Sequence, residues 1–155
     1  MKYKIKGDFN SGLKVYSESS LIMFSEVTRR WFSPDLTKVY TKNNDLLITI
    51  KQKGFFSSSY QIQFQNSELI DQINSINNST LSFSDDKRIE FKSKWSSLLM
   101  DPYFRIFYNN YEIGIVKLKR IAINLDFTLI IKENFEHLTY LFIFFLITQS
   151  NKDYD

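Results

Sequence analysis

The segment Leu138 to Thr148 reads LTYLFIFFLIT and has no polar side. A membrane-crossing helix needs about 20 apolar residues, so this run stops well short of one. A helix that is apolar all round must be enclosed by other protein. Asn134 stands where it could cap such a helix, and the stretch from Asn134 to Ser150 is longer than an ordinary strand. The favoured reading is therefore a buried helix over Leu138 to Ile147. Two others stay open: a last buried strand, because Phe and Ile also form strands, and an interfacial or truncated anchor.

What precedes this run must be able to surround it. Tyr3 to Lys6, Leu47 to Lys51 and Tyr60 to Phe64 alternate apolar with polar residues, the two-residue period of a half-buried strand. Lys14 to Tyr16, Leu21 to Val27, Thr37 to Thr41, Thr80 to Phe83, Arg88 to Lys92, Phe104 to Tyr108, Ile113 to Lys119 and Phe127 to Lys132 add further strands. Between them stand turn formers: Asn10-Ser11-Gly12, Ser33-Pro34-Asp35, Asn43-Asn44-Asp45, Ser84-Asp85-Asp86, Asp101-Pro102 and Asn109-Asn110. Ser67 to Asn77 spaces Leu69, Ile70, Ile73 and Ile76 helically and is expected to be a short helix capped by Ser67.

The predicted fold is mainly β: an antiparallel β-barrel or strongly curled sheet wrapped around a hydrophobic C-terminal α-helix. One domain spans residues 1–150, and 151–155 form a polar tail. The alternative architecture is a two-layer roll of the pleckstrin-homology kind, capped by an amphipathic terminal helix. A repeat favours a two-part barrel. Val39 to Asn44 leads through an apolar strand to Lys51-Gln52-Lys53, and Ile106 to Asn110 leads likewise to Lys117-Leu118-Lys119, so the two segments are expected in equivalent hairpins.

Catalytic chemistry is sparsely supplied. Among 155 residues there is no cysteine and one histidine, His137, which excludes thiolate metal sites and Cys-His catalysis within one chain. His137, at the start of the apolar segment, is read as structural. No serine lies in G-x-S-x-G, and four glycines form no phosphate-binding loop. Asp85-Asp86 stands beside Lys87-Arg88 and reads as a solvated turn, while Glu133 and Glu136 suit a helix N-terminus. Neither a metal nor another cofactor is expected, nor enzymatic activity. No secretion signal is evident at the N-terminus, so the expected location is cytoplasmic, peripheral at a membrane where the basic residues permit.

The net charge of +3 is too small to imply nucleic-acid binding, so any basic function depends on clustering. Lys51 and Lys53 share one strand face, and Lys117 and Lys119 share a face of its repeat, with Arg120, Arg29 and Arg30 nearby in the pattern. If the repeat strands lie side by side, Lys51, Lys53, Lys117, Lys119 and Arg120 form one outer patch. Its expected ligand is an anionic phospholipid surface or an acidic protein partner. The competing expectations are lysines that merely keep strand edges soluble, and a structural or self-associating domain without a specific ligand. Trp31, beside Arg29 and Arg30, is expected in the core.

The hairpin Tyr108-Asn109-Asn110-Tyr111-Glu112-Ile113-Gly114-Ile115-Val116-Lys117 and the ending Asp126-Phe127-Thr128-Leu129-Ile130-Ile131 before the apolar segment resemble the Tubby C-terminal-like superfamily, in particular its LURP-one-related and small bacterial members. The resemblance covers nearly the whole chain by pattern rather than identity. It departs from the family in lacking a D-x-x-G turn around Ser19 to Glu26 and in its shorter length. It implies an antiparallel barrel closed round a hydrophobic C-terminal helix. Membrane tethering or phosphoinositide binding is implied by the better-known animal members; the small bacterial-type relatives imply no settled activity, and no ligand residue transfers.

Overall fold

The computed structural model describes residues 1–8, 11–29, 34–53, 59–93, 102–119 and 125–150. Its strands are β1 (Lys2–Asp8), β2 (Gly12–Ser17), β3 (Ser20–Thr28), β4 (Leu36–Thr41), β5 (Leu46–Gln52), β6 (Ser59–Gln65), β7 (Ile73–Asn77), β8 (Thr80–Phe83), β9 (Arg88–Lys92), β10 (Phe104–Tyr108), β11 (Tyr111–Lys119) and β12 (Leu125–Ile131). Each pairs antiparallel with its neighbour in sequence, and β1 pairs with β12 to close a twelve-stranded barrel. A single helix, α1 (Leu138–Ser150), completes the chain's described elements.

The alternation read from the sequence sets which side chains turn inward. Ile5, Val15, Val39, Ile106 and Phe127 are fully buried, whereas their strand neighbours Lys4, Lys6, Lys14, Lys38, Arg105 and Thr128 are exposed or half-buried; in β5 the expected alternation fails, and Leu47, Ile48, Thr49 and Ile50 are all buried. Hairpins at one end of the barrel turn on non-glycine residues with positive φ: Asn44 at 68°, Asp86 at 62°, Asn109 at 47° and Asn110 at 70°. Short Asn and Asp side chains tolerate this region, which explains how so many turns are made with four glycines. Gly114 has a different task. A Cβ there would stand 2.4 Å from the Ile130 carbonyl oxygen on β12, so this ladder admits no side chain at that point.

The helix fills the barrel. Every residue from Tyr140 to Ser150 is buried, which rejects the roll with a half-wet capping helix. Its rings reach several strands of the wall. Phe142 meets Tyr3 of β1 at 4.9 Å between centroids, Phe144 stacks on Phe91 of β9 at 4.2 Å, and Phe145 meets Phe127 of β12 at 5.1 Å. At the far end the Arg29 guanidinium donates to the Ser150 carbonyl oxygen (3.2 Å), satisfying an acceptor that the helix leaves free. The helix starts at Leu138, and the carbonyl of His137 accepts the Leu141 N–H, whereas Asn134 occupies a positive-φ turn ahead of it.

The helix expected over Ser67 to Asn77 is instead a turn followed by β7. Asn66 holds the turn by accepting the N–H groups of Leu69 and Ile70 on its carbonyl. The helical spacing of Ile73 and Ile76 comes from a bulge between Ile73 and Ser75, where an extra residue puts both isoleucines inward, three positions apart.

Candidate functional site

Both repeat segments form hairpins, β4–β5 and β10–β11, but their turns differ: four residues join β4 to β5, with positive φ at Asn44 and not at Asn43, whereas Asn109 and Asn110, both at positive φ, join β10 directly to β11. Nor are the hairpins adjacent. In the closed order β5 and β11 are six strands apart, on opposite sides of the barrel, so Lys51 and Lys53 do not join Lys117 and Lys119. Lys51 is half-buried between Leu36 and Gln61, and Lys53 is exposed just beyond the end of β5. Arg29 serves the helix end and pairs with Asp35 rather than adding to a patch. Arg30, Trp31 and Arg120 lie outside the described residues.

A different cluster forms where the chain closes on itself. Reading across β11, β12, β1 and β2, one outward row runs Lys119, Asp126, Lys6, Lys14, and the next runs Lys117, Thr128, Lys4, Tyr16. A third row places Ile115 and Ile130 beside Lys2. Directly opposed side chains in such rows stand about 5 Å apart at Cβ, so the six lysines share one field. Only Asp126 opposes them within these rows, a local surplus of five charges against +3 for the entire chain. The remainder of the protein is consequently net negative.

Four of these lysines, Lys2, Lys6, Lys14 and Lys119, are exposed, and none of the four makes an ion pair among the described residues. Lys4 is half-buried and donates to the Thr128 hydroxyl at 2.8 Å. One carboxylate oxygen of Asp126, Oδ1, is buried without a hydrogen-bond partner among the described residues. Ile130 is 38% exposed within the lysine field. Along the first row Lys14 opposes Phe24 of β3, whose ring stacks on Tyr40 at 5.2 Å, so aromatic surface borders the charge.

Sequence reading singled out Lys117 and Lys119, but in a patch with Lys51, Lys53 and Arg120, and did not connect them with Lys2, Lys4, Lys6 and Lys14. The Tyr3-Lys4-Ile5-Lys6 alternation was visible, but nothing local says that the first strand pairs with the last, some 124 residues away.

A cleft of about 220 Å³ opens at the end where the helix enters, between Asp71, Phe83, Asp85, Lys87 and His137. His137 stands among rings, 4.9 Å from Tyr108, 5.6 Å from Phe83, 5.9 Å from Phe135 and 6.0 Å from Tyr140 between centroids. The Tyr140 hydroxyl donates to the Asp71 carboxylate and accepts the Asp71 N–H, and its burial raises the phenol pKa. A hydrogen bond from Lys87 holds Asp85 below its ordinary value, and Asp85 raises Lys87 in return. The Tyr140–Asp71 bonds tie the helix entrance to the β6–β7 connection, and the Phe83 ring against His137 and Tyr140 ties it to β8. Among the described residues no group of His, Cys, Asp and Glu is arranged to hold a metal ion.

No helix among the described residues is long and apolar enough to cross a membrane. Comparison with protein-family models, curated proteins and solved structures gives no match to this chain.

Proposed function

We propose that this protein is a non-enzymatic binding module whose outer face over β11, β12, β1 and β2 docks on anionic lipid headgroups at a membrane surface. The observation that carries this reading is the row arrangement of Lys2, Lys4, Lys6, Lys14, Lys117 and Lys119 on four adjacent strands. Lysines on sheet edges protect against unwanted pairing, but β11, β12, β1 and β2 are each paired on both sides and have no edge to protect. Such a lysine field suits a charged surface. Each lysine near an anionic membrane contributes about 1 kcal/mol, and Ile130 with the bordering Phe24 and Tyr40 offers apolar surface for the interfacial zone. The interior is occupied by helix side chains, which supports binding on the outside rather than chemistry within. The barrel closed round an apolar helix is also the arrangement that kinship with the Tubby C-terminal-like superfamily implies, and we adopt that kinship as part of the proposal.

Co-sedimentation with vesicles tests it. Binding is expected to vesicles containing phosphatidylserine, to be absent with pure phosphatidylcholine, and to weaken as salt screens the field. Changing Lys4, Lys6 and Lys14 together to Glu should lower affinity on the order of a hundredfold or more, whereas Lys51→Glu with Lys53→Glu, on the far wall, should change it little. Equal loss in the two variants would defeat the assignment of this face.

A further inference from the structure

The negative charge that offsets the lysine field gathers at one end of the barrel. Neighbouring strands alternate in direction, so the β2–β3, β4–β5, β8–β9 and β10–β11 turns, the β6–β7 connection and the link from β12 to α1 all lie where the helix enters. These connections hold eight acidic residues, every one exposed, against Lys42, Lys87 and Lys132. Six of the eight stand in the three segments that line the cleft: Glu68 and Asp71, Asp85 and Asp86, Glu133 and Glu136.

The cleft itself has the dimensions of one side chain. At about 220 Å³ it is smaller than the roughly 300 to 1,000 Å³ of sites that take a cofactor or a drug-sized molecule. Phe83 and the His137 imidazole, 5.6 Å apart between centroids, give it aromatic surface. On its rim the Tyr140 hydroxyl donates to Oδ2 of the exposed Asp71 at 2.8 Å, which holds that carboxylate in place and leaves Oδ1 to accept from outside. The other rim carboxylate, Asp85, is paired with Lys87. Ring faces beside a fixed carboxylate are two surfaces that a guanidinium engages at once, its plane on the rings and its fork of N–H donors on the oxygens. An ammonium is a compact, strongly hydrated charge and gains less from the rings.

We infer that this cleft receives an arginine side chain from a basic segment of a partner protein, with the guanidinium against Phe83 and His137 and donating to Asp71. Charge complementarity selects the occupant. An anion would meet the surrounding carboxylates, and a neutral segment would leave them without a counter-charge. Leu69, 50% exposed in the same connection as Asp71, offers apolar surface to the residues beside the arginine. The cleft lies on the end of the barrel and the lysine field on its wall, so the two contacts are independent.

Fluorescence anisotropy with the full chain and a labelled Gly-Arg-Gly-Arg-Gly peptide, at low salt and without lipid, is the test. The Arg peptide is expected to bind, its Lys counterpart to bind more weakly, and its Glu counterpart not to bind. Asp71→Asn should raise the dissociation constant about tenfold, and Lys87→Gln should lower it by releasing Asp85. Glu18→Gln, on the same end but across the ring from β8, should change it by about twofold at most. Opposite shifts from Asp71→Asn and Lys87→Gln cannot both arise from a damaged fold. Absence of Arg-peptide binding, equal binding of the Glu peptide, or an Asp71→Asn effect no larger than that of Glu18→Gln overturns the inference. Displacement of the peptide as the protein associates with itself, its own lysines taking the cleft, overturns it too.

Discussion

The hydroxyl of Ser25, on β3, and the hydroxyl of Ser150, in the last turn of the helix, share a hydrogen bond of 2.9 Å inside the barrel. Ser25 Oγ also accepts the N–H of Leu13 at 2.9 Å, so one side chain joins β2, β3 and the end of the central helix. With Arg29 on the Ser150 carbonyl, it closes the polar end of an otherwise apolar interior.

Ser25→Ala should therefore destabilise out of proportion to its size. It strands the Leu13 N–H and the Ser150 hydroxyl in a buried place, and each such loss costs about 1 to 3 kcal/mol. Urea unfolding should show a lowered midpoint with an unchanged slope. A stability within error of wild type would show that water reaches and satisfies both groups.

Phe144 is fully buried and stacks on Phe91. Phe144→Ala should cost about 3 to 5 kcal/mol, a large part of a domain's stability. Removing the chain from Leu138 onward should leave an insoluble or molten product, since the barrel wall then has no interior. A soluble fragment with a cooperative thermal transition would place the helix outside the core.

The Tyr60 phenol is buried at 5% exposure, and that burial pushes its pKa far above the ordinary 10.0. A proton held more tightly in the folded state makes the stabilisation complete below pH 10.0 and progressively lost above it, where the unfolded chain ionises first. The loss from this one group has a limiting slope of about 1.4 kcal/mol per pH unit. Tyr60→Phe removes the titration along with the hydrogen bond to Asn78 Oδ1. Denaturant titrations at alkaline pH should show a shallower fall for Tyr60→Phe than for wild type; parallel curves would mean that other groups govern alkaline unfolding.

Alternation along the chain, turn residues and one all-apolar segment determined a mainly β chain and favoured a barrel round a C-terminal helix, because these are local patterns and burial reads them directly; only the burial of every residue from Tyr140 to Ser150 decided against the capped roll. Local spacing misled where the backbone was irregular: the bulge at Ile73 to Ser75 gave a strand the spacing of a helix. The placement of the lysines was beyond local pattern. Lys51 and Lys117 carry the same repeat signature, yet closure of the ring sets them on opposite walls, while Lys4 and Thr128, far apart in sequence, become neighbours. A surface site is the product of which strands pair, and that is settled by the barrel closing around its helix, not by any one strand's residues.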